Sequence, residues 1–315
     1  MAAERSWLSA SDSMPRRCDL WRIGIVHAGV ATLAGHGLPA DVAITWLDVG
    51  RPFTFDADPF GWWHEDRLHL FVEHYDYRSR HGVIDCIVLD AGFRQLERRR
   101  VLEEPWHLSY PAIFESEGSL WMLPEAYRSG RLTLYRCRAF PFDWEPACTL
   151  PLGREAIDAT PFHHDGRWWL FFSSSIDRLH RMGSLHIMHA DRIEGPWSSV
   201  QPDPVRLDLS GARPAGRPFL FDGRPVLPVQ DCSRTYGGAI RLLHFDRLAP
   251  AGVSIEPGAK IEPFVRWKPF HEGLHTINDC GSVTLIDAKR IDRSGCGWLL
   301  DAGRMIRKAG ARRPA

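Results

Sequence analysis

Asp58-Pro59-Phe60, Tyr110-Pro111-Ala112, Thr160-Pro161-Phe162 and Arg217-Pro218-Phe219 each place a polar or amphipathic residue before a proline at the head of an apolar stretch. Successive prolines lie 52, 50 and 57 residues apart, and a fifth unit, without the proline, starts near His275-Thr276-Ile277. A period of about fifty residues in a chain of 315 marks a repeated supersecondary unit.

Each unit reads alike. Apolar residues follow the proline, then a turn, then a second apolar run. The turns are His64-Glu65-Asp66, Glu115-Ser116-Glu117-Gly118, His163-His164-Asp165-Gly166 and Asp222-Gly223, and such pairs between β-rich runs signal hairpins. Returning strands are expected at residues 67–73, 119–125, 167–173 and 224–230, third strands at 132–136 and 185–189, and weaker outer strands around Trp144 and Trp197. The pattern predicts an all-β fold, a five-bladed β-propeller of four-stranded antiparallel blades. Residues 1–18 read as a loose tail, 19–304 as a single propeller domain and 305–315 as a basic tail. Trp21–Val26 reads as the first strand, and 28–50 as a short helix and a connection.

Charges balance at 39 of each sign, so no basic excess points to nucleic acid or an anionic membrane, and no run is long enough to span a bilayer. Seven cysteines, with no CxxC pair and no secretory leader, fit reduced thiols in a cytoplasmic protein. No P-loop, Rossmann fingerprint, Gly-x-Ser-x-Gly or His-Glu-x-x-His is present, and neither a cofactor nor a metal is expected. Thirteen tryptophans are many for this length. Most should pack blades, and the rest suit the flat apolar faces of sugars.

In a propeller the first strand of each blade lines the central channel. The heads of the five units, Asp58, Tyr110, Thr160, Arg217 and His275, should therefore form a polar ring. That ring serves either recognition or simply a hydrogen-bonded plug. Counting seven residues on from each turn gives a second ring, Glu73, Glu125, Ser173 and Gln230. With Asp58 and Asp158, two of these gather carboxylates at one mouth, the groups that acid/base cleavage of a glycosidic bond needs. Salt-bridged structural roles are the alternative. His107, just upstream of Tyr110, is expected either to touch substrate or to anchor its loop by a hydrogen bond, and the dense polar tract Gln230-Asp231-Cys232-Ser233-Arg234-Thr235-Tyr236-Gly237 reads as a substrate-contacting loop or else an ornate turn. His163-His164-Asp165 falls on an outward hairpin and is set aside as a metal cluster.

Ala57-Asp58-Pro59-Phe60 resembles the start of blade one in family 43-type glycoside hydrolases, where the resemblance implies a general base at Asp58. A nearer resemblance is to the propeller at the N-terminus of plant glucosamine inositolphosphorylceramide transferases and its stand-alone bacterial relatives. It rests on an ordered series: His107-Leu108-Ser109-Tyr110-Pro111, Pro124-Glu125, Asp158-Ala159-Thr160-Pro161-Phe162, Gly195-Pro196-Trp197, Arg213-Pro214-Ala215-Gly216, Gln230 to Gly237 and Gly273-Leu274-His275-Thr276-Ile277. The series covers roughly residues 19–291, and departs from the relatives at Leu227-Pro228, where they tend to carry Arg-Pro. It implies a carbohydrate-linked role, with the transferase chemistry of the plant enzymes in a separate C-terminal domain. The expectation is an inverting glycoside hydrolase acting at the channel mouth. Asp58 serves as base and Glu125 as acid (Glu73 as second choice), with Asp158 tuning. His107, Tyr110, Thr160, Arg213, Arg217, Gln230, Asp231, Tyr236 and His275 hold the sugar. The alternative is a non-catalytic propeller that binds a carbohydrate or glycoconjugate, alongside polysaccharide- or glycolipid-assembly proteins. A propeller for protein partners is the third reading.

Overall fold

A computed structural model describes residues 18–294, 297–300 and 303, and shows a five-bladed β-propeller of antiparallel blades. Blade I comprises Thr54–His64, Arg67–Asp76, His81–Leu89 and Gln95–Leu102. Blade II comprises Ser109–Ser116, Ser119–Glu125, Thr133–Ala139 and Asp143–Thr149. Blade III has Ala156–His164, Arg167–Ser174 and Ser184–Ala190, with only Ser198–Ser199 and Arg206–Leu207 along its outer side. In blade IV the inner strand is broken into Arg213–Pro214 and Phe219–Phe221, followed by Arg224–Asp231, Ala239–Ala249 and Gly252–Ile261.

Blade V is composite. Its inner strands, Leu274–Cys280 and Val283–Asp292, come late in the chain, and its outer strands, Cys18–Val26 and Ile44–Trp46, come early. All nine residues from Cys18 to Val26 pair in unbroken register with Asp292 to Thr284, which closes the ring. The helix Val30–His36 lies between those early strands. Residues 1–17 and 305–315, expected as tails, lie outside the described residues, as does Cys296, while Cys18 already belongs to a blade.

Turn chemistry explains the regularity. Glu65-Asp66, Glu117-Gly118, Asp165-Gly166 and Asp222-Gly223 each join first and second strands as two-residue loops. Every one of these eight residues has φ between 47° and 75°. That is the type I′ signature, which matches the twist of the strands it joins.

Blades meet through apolar faces. Trp121, Trp144, Trp168 and Trp197 belong to the largest buried cluster, which runs through blades I to III, and Trp169 and Trp267 pack in smaller ones. Leu227 is fully buried in the cluster between blades III and IV, so the departure noted there is a packing change away from the channel. Among the described residues Cys86, Cys137, Cys148, Cys232 and Cys280 are in no disulfide. Among the described residues no helix is long and apolar enough to cross a membrane.

Candidate functional site

The inner strands share one irregularity. In blade I, Ala57 pairs with Glu73 and Phe60 with Phe71, so Asp58 and Pro59 together face a single residue. Tyr110-Pro111 in blade II, Asp158-Ala159 in blade III and His275-Thr276 in blade V make the same β-bulge. A bulge re-aims the side chain it carries. Asp58, Tyr110 and Asp158 have φ of 51°, 46° and 51°, uncommon for residues with a Cβ and a form of strain that concentrates at functional sites.

This register corrects the ring expected from the prolines. Asp158, not Thr160, is the counterpart of Asp58, and Thr160-Pro161 corresponds to Phe60-Gly61. Arg217 is displaced further. Blade IV spends four residues, 215–218, against two on its partner strand, so Arg213, paired with Gln230, takes the place that Ala57 holds against Glu73. Glu73, Glu125, Ser173 and Gln230 do form a matching second ring.

A cavity of about 410 Å³ opens at this mouth, and Asp58, Glu73, Glu125 and Asp158 all line it, with His107, Arg213, Tyr236 and His275. Its walls add residues that sequence reasoning missed: Asp19, Trp21, Phe55, Tyr75 and Tyr77 on one side, Tyr127, Arg128, Arg181 and Met182 on the other. Asp19 and Trp21 come from the closing strand, Phe55 and Tyr75 from the first two strands of blade I, and the rest from the loops between second and third strands, where no repeat is visible.

Asp58 sits within a buried cluster. Its Oδ2 accepts the Tyr110 N–H at 3.1 Å and its Oδ1 accepts the Thr276 hydroxyl at 2.8 Å, with His275 Nε2 3.4 Å away. Asp287, which the sequence reading overlooked, lies beneath. It accepts the N–H groups of His275, Thr276 and Asp58 and, at 2.7 Å, His275 Nδ1. One carboxylate thus fixes two bulges, and the next fixes a third. Burial would neutralise Asp287, but His275 and these N–H donors hold its carboxyl below the usual range. Burial likewise opposes charge on His275, yet Asp287 and Asp58 carry its pKa above the ordinary value. Trp21 stacks on the imidazole at 3.8 Å between centroids. Burial pushes Asp58 up to about 6, with His275 opposing and Asp287 and Asp158 adding to the rise.

Asp58, His275 and Asp287 offer ligand atoms within 4.8 Å of one another, a spacing a cation could use. All four carboxylate oxygens, however, already accept protein hydrogen bonds, and the imidazole lies between the two acids. The donor set is satisfied as a charge cluster, and no ion is assigned to it.

The other carboxyls differ. Asp158 accepts Arg213 Nε at 2.6 Å and Gln230 Nε2 at 3.1 Å, while Arg213 lies over the Tyr236 ring. Glu125 accepts the Ser109 hydroxyl at 3.1 Å and the Tyr127 N–H at 2.9 Å. Burial, with Asp158 adding, pushes it up to about 7. Glu73 makes no side-chain hydrogen bond among the described residues and stands 3.6 Å from His107 Nε2. Burial, then Asp58 and Glu125, hold its carboxyl well above the usual range, while burial and Arg128 push His107 down to about 4. Burial thus biases Glu73 toward its neutral form, facing an imidazole that burial biases the same way.

Five expected sugar contacts are off the cavity wall. The Tyr110 side chain is buried and hydrogen-bonds Thr160 Oγ1 at 2.9 Å. Arg217 donates to the carbonyls of Ile113 and Asp279, further along the channel. Gln230 ties Asp158 to the Pro214 carbonyl. Asp231 braces its own loop by accepting Ser233 N–H and Lys260 Nζ at 3.0 Å each. The reason is common to all: polar groups buried in a channel must find partners, and these find them within the protein. Tyr236 does reach the cavity, from a loop clamped by Lys289, whose ammonium donates to the Tyr236 carbonyl and to Thr235 Oγ1.

Fold and mouth define a five-bladed propeller whose carboxyl-rich cavity lies where propellers keep ligand sites. Among solved structures the fold is similar to the GH43_1 enzyme from Xanthomonas citri complexed with xylotriose, with a TM-score of 0.55 and 15% identity over 78% of this chain and 88% of that one. It is also similar to a family 117 glycoside hydrolase of Zobellia galactanivorans, with a TM-score of 0.53 and 13% identity over 78% of this chain and 88% of that one. At such identities the likeness is one of fold. A family model described as "Glucosamine inositolphosphorylceramide transferase 1, N-terminal" matches residues 39–255. The curated protein named Glucosamine inositolphosphorylceramide transferase 1 of Oryza sativa subsp. indica is 35% identical over 265 residues, 80% of this chain and 36% of that protein. Its namesake in Arabidopsis thaliana is 32% identical over 215 residues, 67% of this chain and 28% of that protein. The chain belongs to this family of N-terminal domains, and spans about a third of the length of the curated relatives it matches.

Proposed function

We propose that the mouth cavity binds a sugar of a glycoconjugate and cleaves its glycosidic bond by acid/base catalysis. The observation that carries this reading is the pairing of two unlike carboxyls on one cavity. Burial pushes Asp58 up to about 6 beside His275, and it holds Glu73, which makes no side-chain hydrogen bond among the described residues, well above the usual carboxyl range. Environments that push two carboxyls apart in this way suit an acid and a base. Asp58 takes a proton from water as the water oxygen bonds to the anomeric carbon. The bond from that carbon to the leaving oxygen breaks, and Glu73 gives that oxygen its proton. Glu73 replaces Glu125 as the first choice of acid because Ser109 and Tyr127 already occupy both Glu125 oxygens. Trp21, Phe55, Tyr75, Tyr77 and Tyr236 supply faces for the sugar ring. The glucosamine in the relatives' name makes glucosaminides the first substrates to try.

The test is a panel of aryl glycosides and oligosaccharides, glucosaminides included, with the folded variants Asp58→Asn and Glu73→Gln beside the wild type. Turnover lost in both variants, and little changed in Glu125→Gln, is the expected result. A second reading rests on Asp58 itself, both of whose oxygens accept hydrogen bonds, leaving little to receive a proton from water. In that reading the domain only binds the sugar, as an accessory to glycolipid or polysaccharide assembly. Saturable sugar binding with no product from any substrate would establish it and overturn catalysis.

A further inference from the structure

The cavity floor is rich in carboxyls, but its inner rim is not. In the first four blades the rim is made by the loops between second and third strands, residues 77–80, 126–132, 175–183 and 232–238. These loops carry seven arginines, Arg78, Arg80, Arg128, Arg131, Arg178, Arg181 and Arg234, against one acid, Asp177. The whole chain balances its charges, so this collar is a local excess.

Two of the seven face the cavity. Arg128 and Arg181, from the loops of blades II and III, line it together with Glu125 and Asp158. Neither has a carboxylate partner among the described residues. The Arg128 side chain donates only a long bond, 3.4 Å to the Tyr127 hydroxyl, and Arg181 only one of 3.3 Å to the Ser175 carbonyl. A guanidinium has five N–H donors in a planar fork, so most of the donors on each stay unspent. The floor matches them only in part: Glu125, whose charge acts on Arg128, is pushed up to about 7 and already accepts Ser109 and Tyr127. Asp158 is matched by Arg213, Asp58 and Asp287 share His275, and Asp19 lies 3.6 Å from Lys289. Burial also biases Glu73 toward its neutral form.

We propose that Arg128 and Arg181 form an anion subsite for a phosphate group borne by the sugar that the floor receives. This rests on the carbohydrate reading and narrows its ligand class to phosphorylated glycoconjugates. A tetrahedral phosphate accepts several N–H bonds at once, and two forked cations on adjacent loops can take it from two sides. The same blade III loop exposes Ile176 by 70% and Leu179 by 45%, apolar groups beside the arginines that suit a phosphate carried on a lipid.

Calorimetry of the full chain tests this with four probes: inorganic phosphate, a hexose 1-phosphate, the free hexose, and vesicles with and without phosphatidylinositol. The hexose phosphate is expected to bind more tightly than the hexose and to weaken as salt rises. Arg128→Ala and Arg181→Ala should each weaken it by roughly tenfold or more, as for a lost charge-assisted bond. The free hexose should bind unchanged. Arg138→Ala, exposed near the end of the third strand of blade II, is the control. Binding of phosphatidylinositol vesicles that depends on both arginines would support a lipid-borne phosphate, and arginine-dependent binding of the soluble phosphate alone a free one. Hexose binding that is indifferent to the phosphate and to both arginines overturns the subsite while leaving the carbohydrate reading intact. No binding by any probe overturns both.

Discussion

Asp58 and Asp158 occupy the same place in blades I and III, each on a bulge with φ of 51° and each lining the cavity. Their partners differ. Asp158 is held by Arg213 and Gln230 of blade IV, and an arginine cation does not give up its proton. Asp58 is held by a hydroxyl, an amide and an imidazole, and burial leaves it near 6. The repeat supplies a position, and the neighbouring blade decides its chemistry. One carboxyl is clamped as a fixture, and its twin is left able to exchange a proton near neutrality.

The strongest way to break this comparison is to neutralise each twin. If the proposed catalysis holds, Asp58→Asn should cut turnover about 10²- to 10⁴-fold in a folded protein, the usual weight of a general base. Asp158→Asn should act first on stability, by leaving Arg213 buried without its counter-charge. Steady-state kinetics beside denaturant melts separates the two, and the reverse pattern would exchange their roles. Next in size is Arg213→Ala. Breaking a buried ion pair from one side costs roughly 3–5 kcal/mol, and urea unfolding should show a loss of that order. A loss below about 1 kcal/mol would mean that Asp158 is no fixture.

The smallest expected effect sharpens the proton-exchanging side. In Asp58 and Glu125 the folded state holds the proton more tightly than the unfolded chain does. Their contribution to stability is therefore greatest in acid and falls as pH rises, between 3.8 and about 6 for Asp58 and between 4.5 and about 7 for Glu125. For Glu125 the fall is on the order of 3 kcal/mol. Glu125→Gln should flatten the stability profile across that window, and an unaltered profile would mean that Glu125 is an ordinary carboxylate.

The fold was legible because its signals are local. Prolines at the unit heads and the Glu-Asp, Glu-Gly and Asp-Gly turns needed no knowledge of distant residues. The site was legible only in part, for a physical reason. Proline marks the second bulge residue in blades I and II, but alanine stands there in blade III, so matching prolines shifted the head by two residues. The better signal was the acid in Ala57-Asp58 and Ile157-Asp158, which the bulge makes equivalent. Asp287 and Trp21 escaped notice because their roles arise only where the two ends of the ring meet. Glu73 and Glu125 were found by counting from turns, yet what distinguishes them is which neighbours reach their oxygens, and a count holds no trace of that.

The composite blade has a consequence for how the site comes into being during synthesis. Trp21 leaves the ribosome early and waits for His275, the ring it stacks on, and Asp58 waits for Asp287. Four blades can assemble while the cavity still lacks one wall and the charge cluster beneath it. Ligand affinity should therefore arrive in a single step, when the last blade docks, and a nascent chain stalled before residue 287 should bind nothing at the mouth.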